Sequence, residues 1–125
     1  MRLITHNMLM CNKKGVVNGF PLRIEAEQVE VVAAEFQAEF VRKMLLKIDW
    51  SAFVAGAKSL NVAEGLPEQI TSADVDAADE ELLRKVHHAL LEVHVKKGKL
   101  ICPESGREFP IIDSIPNMLL REDEV

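Results

Sequence analysis

The stretch Gly98-Lys99-Leu100-Ile101-Cys102-Pro103-Glu104-Ser105-Gly106-Arg107-Glu108-Phe109-Pro110-Ile111-Ile112 decides how this chain folds. It runs on into Ile115-Pro116-Asn117-Met118-Leu119-Leu120. Leu100 to Cys102 is a β-rich run. Pro103, Glu104, Ser105 and Gly106 are turn residues. Phe109 to Ile112 is a second β-rich run. Together they spell a hairpin. The segment after it is apolar and broken only by Pro116 and Asn117, which gives more sticky surface than a small domain needs for its own core.

Working outward, the chain reads as helical in the middle and β-rich at both ends. Residues 3–11 are too few for periodicity to separate a helical turn from a strand. Gly15 and Asn18-Gly19 mark a loop. Phe20, Leu22, Ile24 and Ala26 share one parity, and Val29 and Val31 take the other. This predicts one or two strands with a parity change near Glu27. The period then lengthens. Phe36, Phe40, Val41, Met44, Leu45 and Ile48 line one helical face. Asp49 is positioned as the N-cap of a second helix bearing Phe53, Ala57 and Leu60. Residues 64–81 carry seven acids and no Lys or Arg, and read as a loop with room for a single helical turn. Asp79, Glu80 and Glu81 suit a helix start, where the dipole favours anions. Leu82, Val86, Leu90 and Val93 form a third stripe, which passes into an alternating run, Leu91 to Val95. Lys96-Lys97-Gly98-Lys99 reads as a turn, and Arg121 to Val125 as a charged, frayed tail.

The expected fold is therefore α+β: a small antiparallel sheet built from both chain ends, with a helical insertion. The ends are too short to be separate domains. The working division is 1–33 with 91–125 as a discontinuous β domain, and 34–90 as the insertion. At 125 residues the chain is one domain, and 48% apolar residues suit a packed interior. With one Trp, no Tyr and five Phe, that interior is mainly aliphatic. The net charge of −5 and the absence of a Lys/Arg cluster argue against direct nucleic-acid binding. No signal peptide and no membrane span are legible, so no membrane partner is expected. Two cysteines 91 positions apart make no disulfide framework, and an intracellular, reducing location is the default.

The candidate chemistry is sparse. Cys11 and Cys102 each stand where a metal knuckle would begin, yet neither has a second Cys at the needed spacing, and structural zinc takes four ligands. The scaffold therefore reads as zinc-ribbon-like but zinc-free, and the two thiols as small buried side chains. His87 and His88 are helix neighbours about 100° apart and cannot share one ligand site. With His94 they offer only a weak acid/base cluster, the basis of a small-hydrolase alternative. Ser105 lies in no GxSxG elbow, and there is no glycine-rich phosphate loop. Nothing here reads as an enzyme or as a cofactor site. The positive signal is the apolar tail Ile115 to Leu120. Together with Thr5 to Leu9, which is expected to lie beside it, it would leave an exposed patch or a free sheet edge for a partner.

Seven segments in order carry a family resemblance: Leu3-Ile4-Thr5-His6-Asn7-Met8-Leu9, Gly19-Phe20-Pro21-Leu22, Phe40-Val41, Asp49-Trp50-Ser51-Ala52-Phe53, His87-His88-Ala89-Leu90-Leu91-Glu92-Val93, Cys102-Pro103-Glu104-Ser105-Gly106-Arg107 and Ile115-Pro116-Asn117-Met118-Leu119-Leu120. In these the chain resembles the multifunctional methyltransferase subunit family across essentially its whole length. The resemblance implies a zinc-ribbon-like α+β domain with no catalytic activity and no cofactor of its own. It implies heterodimers with S-adenosylmethionine-dependent methyltransferases that modify tRNA, ribosomal RNA and a translation termination factor. RNA would be met only through the partner enzyme, in the cytoplasm and nucleus. Some members bind zinc through two Cys pairs. Here Cys11 and Cys102 remain, with Val16 and Ser105 at the other two places, so the resemblance makes them remnants of a zinc site. The implied partner surface is Thr5, His6, Asn7, Met8, Ile115, Pro116, Asn117, Met118 and Leu119. A metal-dependent ribbon that binds RNA directly is the competing reading.

Overall fold

A computed structural model describes all of residues 1–125. The elements in order are α1 (Leu3–His6), β1 (Arg23–Val31), α2 (Ala38–Lys47), α3 (Trp50–Ser59), α4 (Ser72–Ala77) and α5 (Glu80–His87). A π-helical turn (His88–Glu92) follows, then β2 (Val93–Ile101), β3 (Glu108–Ile112), β4 (Ile115–Pro116) and a 3₁₀ turn (Glu122–Glu124). The four strands form one antiparallel sheet in the order β1-β2-β3-β4. The sheet thus joins the two ends of the chain, with α2 to α5 inserted between β1 and β2, which is the α+β arrangement expected. No helix is long and apolar enough to cross a membrane.

Local signals explain most boundaries. Asp49 caps α3 by accepting from Ala52 N–H at 2.9 Å, and Asp79 caps α5 by accepting from Leu82 N–H at 2.9 Å. The acidic loop carries more structure than its composition suggests. Thr71 and Asp74 form a reciprocal capping box that starts α4. Arg42 then closes the other end of α4, donating to the carbonyls of Val75 (2.6 Å) and Ala78 (3.2 Å). Helix α5 buries Leu83, Val86 and His87, leaving Leu82 at the flank. This corrects the expected stripe by one position. The buried set has i, i+3, i+4 spacing, and His87 is accepted on it because its ring nitrogen Nε2 bonds the Ala34 carbonyl at 3.0 Å.

The largest correction is at Lys96–Lys99. These residues continue a single nine-residue strand rather than turning. Lys96, Lys97 and Lys99 lie across from Glu30, Glu27 and Glu25 of β1 and pair with them at 3.3–3.6 Å. Gly98 makes the passage possible. A side chain there would collide with the Glu25 carbonyl of β1, which approaches this point closely. The expected parity change near Glu27 is the adjoining irregularity, where the β1–β2 register shifts between Ala26 and Val29.

One hydrophobic core spans sheet and helices. Ile24, Val95, Leu100, Phe109 and Ile111 come from the strands; Val41, Leu45, Phe53, Ala57, Leu83, Val86 and Leu90 come from the helical segment. The C-terminus is not a frayed tail. Glu124 is buried, and its carboxylate accepts from Arg107 Nε at 2.6 Å and Nη2 at 3.1 Å. This two-point pairing holds the end of the chain down.

Candidate partner-binding surface

The N-terminal half of the candidate set sits on α1. Leu3 and His6 are buried, and both lie over Gly56 of α3, where a side chain would strike Leu3. That glycine lets the two helices meet. His6 is 1% exposed, and its Nε2 bonds the Leu22 carbonyl at 2.7 Å. Burial lowers its pKa, partly opposed by that bond, so the ring is held neutral. Asn7 makes a two-way clasp with the α2–α3 junction. Its Nδ2 donates to the Asp49 carbonyl and its Oδ1 accepts from Asp49 N–H, both at 2.9 Å. His6 and Asn7 therefore face the protein's own interior and backbone. Thr5 is half-buried, and Met8, at 69% exposed, is the outward-facing member of this group.

The C-terminal half behaves differently. Ile115 and Pro116 form β4, with Ile112 paired to Ile115 and Ile111 paired to Pro116. Phe109 and Ile111 point inward, so by strand alternation Ile112 points outward. Ile112, Ile115 and Leu119 are 61%, 68% and 79% exposed. With Pro116, Asn117 and Met118 they line an open, mainly apolar groove. Met118 also packs against the core edge. Asn117 shapes the segment: its N–H reaches the Pro110 carbonyl at 2.9 Å and its Oδ1 accepts from Leu119 N–H at 3.0 Å. β4 is only two residues long and has a neighbour on one side alone, so it ends the sheet. Ile112 is the member sequence reading missed; outward parity at the end of β3 was the available signal.

Residues of the 5–9 and 115–120 segments line two grooves rather than one shared patch. Helix α1 packs on α3 and the π-helical turn. Residues 2, 4, 5, 8 and 9 line a groove of their own, separate from the one lined by Ile112 and residues 115–119. The link between the two regions is Met1, whose amino group donates to the carbonyls of Val95 (2.7 Å) and Ser114 (2.8 Å).

The remaining candidate groups are scattered or inward. Cys11 and Cys102 are both buried, with free thiols that influence each other's ionisation. Burial pushes the Cys11 thiol up. Cys102 is brought down to about 7: burial opposes ionisation, but bonds from Ser105, Glu104 and Cys11 to its sulfur outweigh it. Ser105 N–H lies 3.3 Å from that sulfur. No group of three or more His, Cys, Asp or Glu side chains converges anywhere to hold a metal. His88 bonds Glu92 at 3.0 Å, and Glu92 also accepts from Ala34 N–H at 2.9 Å. These two bonds, the backbone one first, hold the Glu92 carboxyl below its ordinary range. The cluster pins the turn into β2.

The geometry defines a class: a small α+β domain with three exposed aliphatic side chains, Ile112, Ile115 and Leu119, lining one open groove at the end of its sheet. The model of the Trm112p-like protein family matches residues 2–114, and the chain belongs to that family. The multifunctional methyltransferase subunit TRM112 homolog A of Arabidopsis thaliana is 58% identical over 125 residues, covering 100% of both chains. The TRM112-like subunit of Mus musculus is 50% identical over 125 residues, covering 99% of this chain and 98% of its own. The Schizosaccharomyces pombe subunit trm112 is 34% identical over 128 residues, with full coverage of both. Among solved structures, a chain of the E. cuniculi Mtq2–Trm112 complex shares the fold, with a TM-score of 0.53, 22% identity and 95% of each chain covered. That complex is described as responsible for methylation of the eRF1 translation termination factor.

Proposed function

We propose that this protein is a non-catalytic subunit that activates and stabilises several S-adenosylmethionine-dependent methyltransferases, pairing with each as a heterodimer. The observation that carries the reading is the apolar sheet end formed by Ile112, Ile115 and Leu119. Three large aliphatic side chains held out on a rigid scaffold cost solubility unless a partner covers them. The relatives are named as methyltransferase subunits, and the solved complex pairs a Trm112 with Mtq2. The partner enzymes would hold the cofactor and act on tRNA, ribosomal RNA and a termination factor, in the cytoplasm and nucleus. RNA is met through the enzyme, consistent with the net charge of −5.

Physically, an extended partner segment can align with the free side of β4 and residues 117–119, gaining main-chain hydrogen bonds while its side chains cover the apolar trio. A standard interface buries about 1,600 Å² in total, which this end and exposed Met8 could share. Because the complex forms only from the folded enzyme, binding draws the enzyme toward its folded, cofactor-competent state by mass action. His6 and Asn7 serve this function as supports of the scaffold, and Thr5 and Met8 as a second contact area. Leu119→Asp tests the reading. The side chain is almost fully exposed, so stability should change by less than about 0.5 kcal/mol. Binding should fall by at least 100-fold, because an aspartate would be buried unpaired against the partner. Normal co-purification of this variant with a methyltransferase would refute the interface.

A further inference from the structure

We propose that Cys11 and Cys102 form a reversible dithiol/disulfide couple, a modification site in which hydrogen peroxide closes a bond between the two ends of the chain. The inference stands apart from the partner reading. It rests on where the fold puts two residues 91 positions apart. Cys11 and Cys102 are neighbours in the core, and both side chains are almost fully buried. Their segments are clamped together by bonds that do not involve sulfur. The Glu104 carboxylate accepts from Val17 N–H at 2.9 Å and Asn18 N–H at 3.2 Å, tying the loop after Cys11 to the turn after Cys102. Lys14 N–H bonds the Glu124 carbonyl at 2.6 Å, and Glu124 is paired to Arg107, four residues past the start of that turn. The thiols are therefore pre-positioned, and closing the bond requires little ordering of the chain.

The Cys102 sulfur is the nucleophile, because the Ser105 N–H lies 3.3 Å from it and favours its thiolate. The thiolate attacks one oxygen of hydrogen peroxide; the O–O bond breaks, hydroxide leaves, and a sulfenic acid remains on Cys102. The Cys11 sulfur, losing its proton to that hydroxide, attacks the Cys102 sulfur; the S–O bond breaks and a second hydroxide leaves, taking a proton from solvent. The net change oxidises two thiols to one disulfide and reduces one peroxide to two waters. Local opening of the exposed 12–18 loop admits a molecule as small as peroxide. Closing so long a loop restricts the unfolded chain strongly, so the oxidised protein should melt higher by roughly 10 °C.

The test uses the full chain, first reduced and then treated with hydrogen peroxide. Non-reducing peptide mapping should show the Cys11 and Cys102 peptides joined within one molecule, with the loss of two hydrogens. The melting temperature should rise, and dithiothreitol should reverse both changes. In Cys11→Ser, Cys102 should instead proceed to sulfinic acid, with no rise in melting temperature. If that variant does not fold, the wild-type map decides alone. Recovery of both thiols free, independent sulfinic acids on the wild type, or linkage only between molecules would overturn the proposal.

Discussion

Replacing Asn7 by alanine separates the structural account from a surface one. The side chain makes two hydrogen bonds to the Asp49 backbone, both at 2.9 Å, and it is half-buried. Alanine leaves the Asp49 N–H and carbonyl without those partners. Each bond is worth about 0.5–1.5 kcal/mol net, and water can partly replace them at this depth. The expected loss is therefore about 1–2 kcal/mol. For a chain of this length that lowers Tm by roughly 4–8 °C. Asp49 is also the cap of α3, so the amide protons of the first turn of α3 should exchange faster. Asn7→Asp keeps the acceptor and loses the donor, and should fall between the two. Thermal unfolding and hydrogen exchange of the isolated protein provide the measurements, with methyltransferase affinity measured in parallel. A variant with unchanged Tm but strongly weakened partner binding would refute the reasoning, because Asn7 would then face the partner.

Two further perturbations test the scaffold. The carboxyl of Glu124 is held down to about 2, first by Arg107 and then by the Arg121 backbone N–H, against an ordinary 4.5. A depressed carboxyl stabilises the fold above its unfolded value, and that contribution fades as pH falls from 4.5 toward 2. Urea midpoints of wild type and Glu124→Gln should therefore differ at neutral pH and converge across that window; a constant gap would contradict the pairing. Gly98→Val places a branched side chain against the Glu25 carbonyl at the β1–β2 approach and should cost roughly 2–4 kcal/mol in urea denaturation. An unchanged midpoint would mean the strands do not approach there.

Much of this architecture is legible in the residues themselves. The 98–112 hairpin, the Asp49 cap, the parity change near Glu27 and the joining of both chain ends in one sheet all follow from local pattern. What escaped did so for identifiable reasons. Lys96-Lys97-Gly98-Lys99 has turn composition, but Glu25, Glu27 and Glu30 lie opposite it, and those cross-strand pairs exist only after the ends have met. The helical turn expected in the acidic loop is α4, whose start is a Thr71/Asp74 box; its extent was not legible because its end is closed by Arg42 from another helix. Glu124 looks like tail chemistry until Arg107 is placed beside it. At the candidate surface, the apolar tail was visible as an excess of large side chains, and Ile115 and Leu119 are indeed exposed. The family resemblance places His6 and Asn7 with it, and sequence alone does not say which way their side chains point. One faces the Leu22 carbonyl and the other Asp49.

The central claim is that this chain works by completing another enzyme. Its most direct test is methyl transfer from labelled S-adenosylmethionine in a reconstituted reaction. The components are this protein, a methyltransferase co-expressed with it, and that enzyme's tRNA or termination-factor substrate. The account predicts no transfer by the chain alone, weak transfer by the enzyme alone, strong transfer by the pair, and loss of that gain with Leu119→Asp. Methyl transfer by the isolated chain, or equal activity of the enzyme with and without it, would contradict the account.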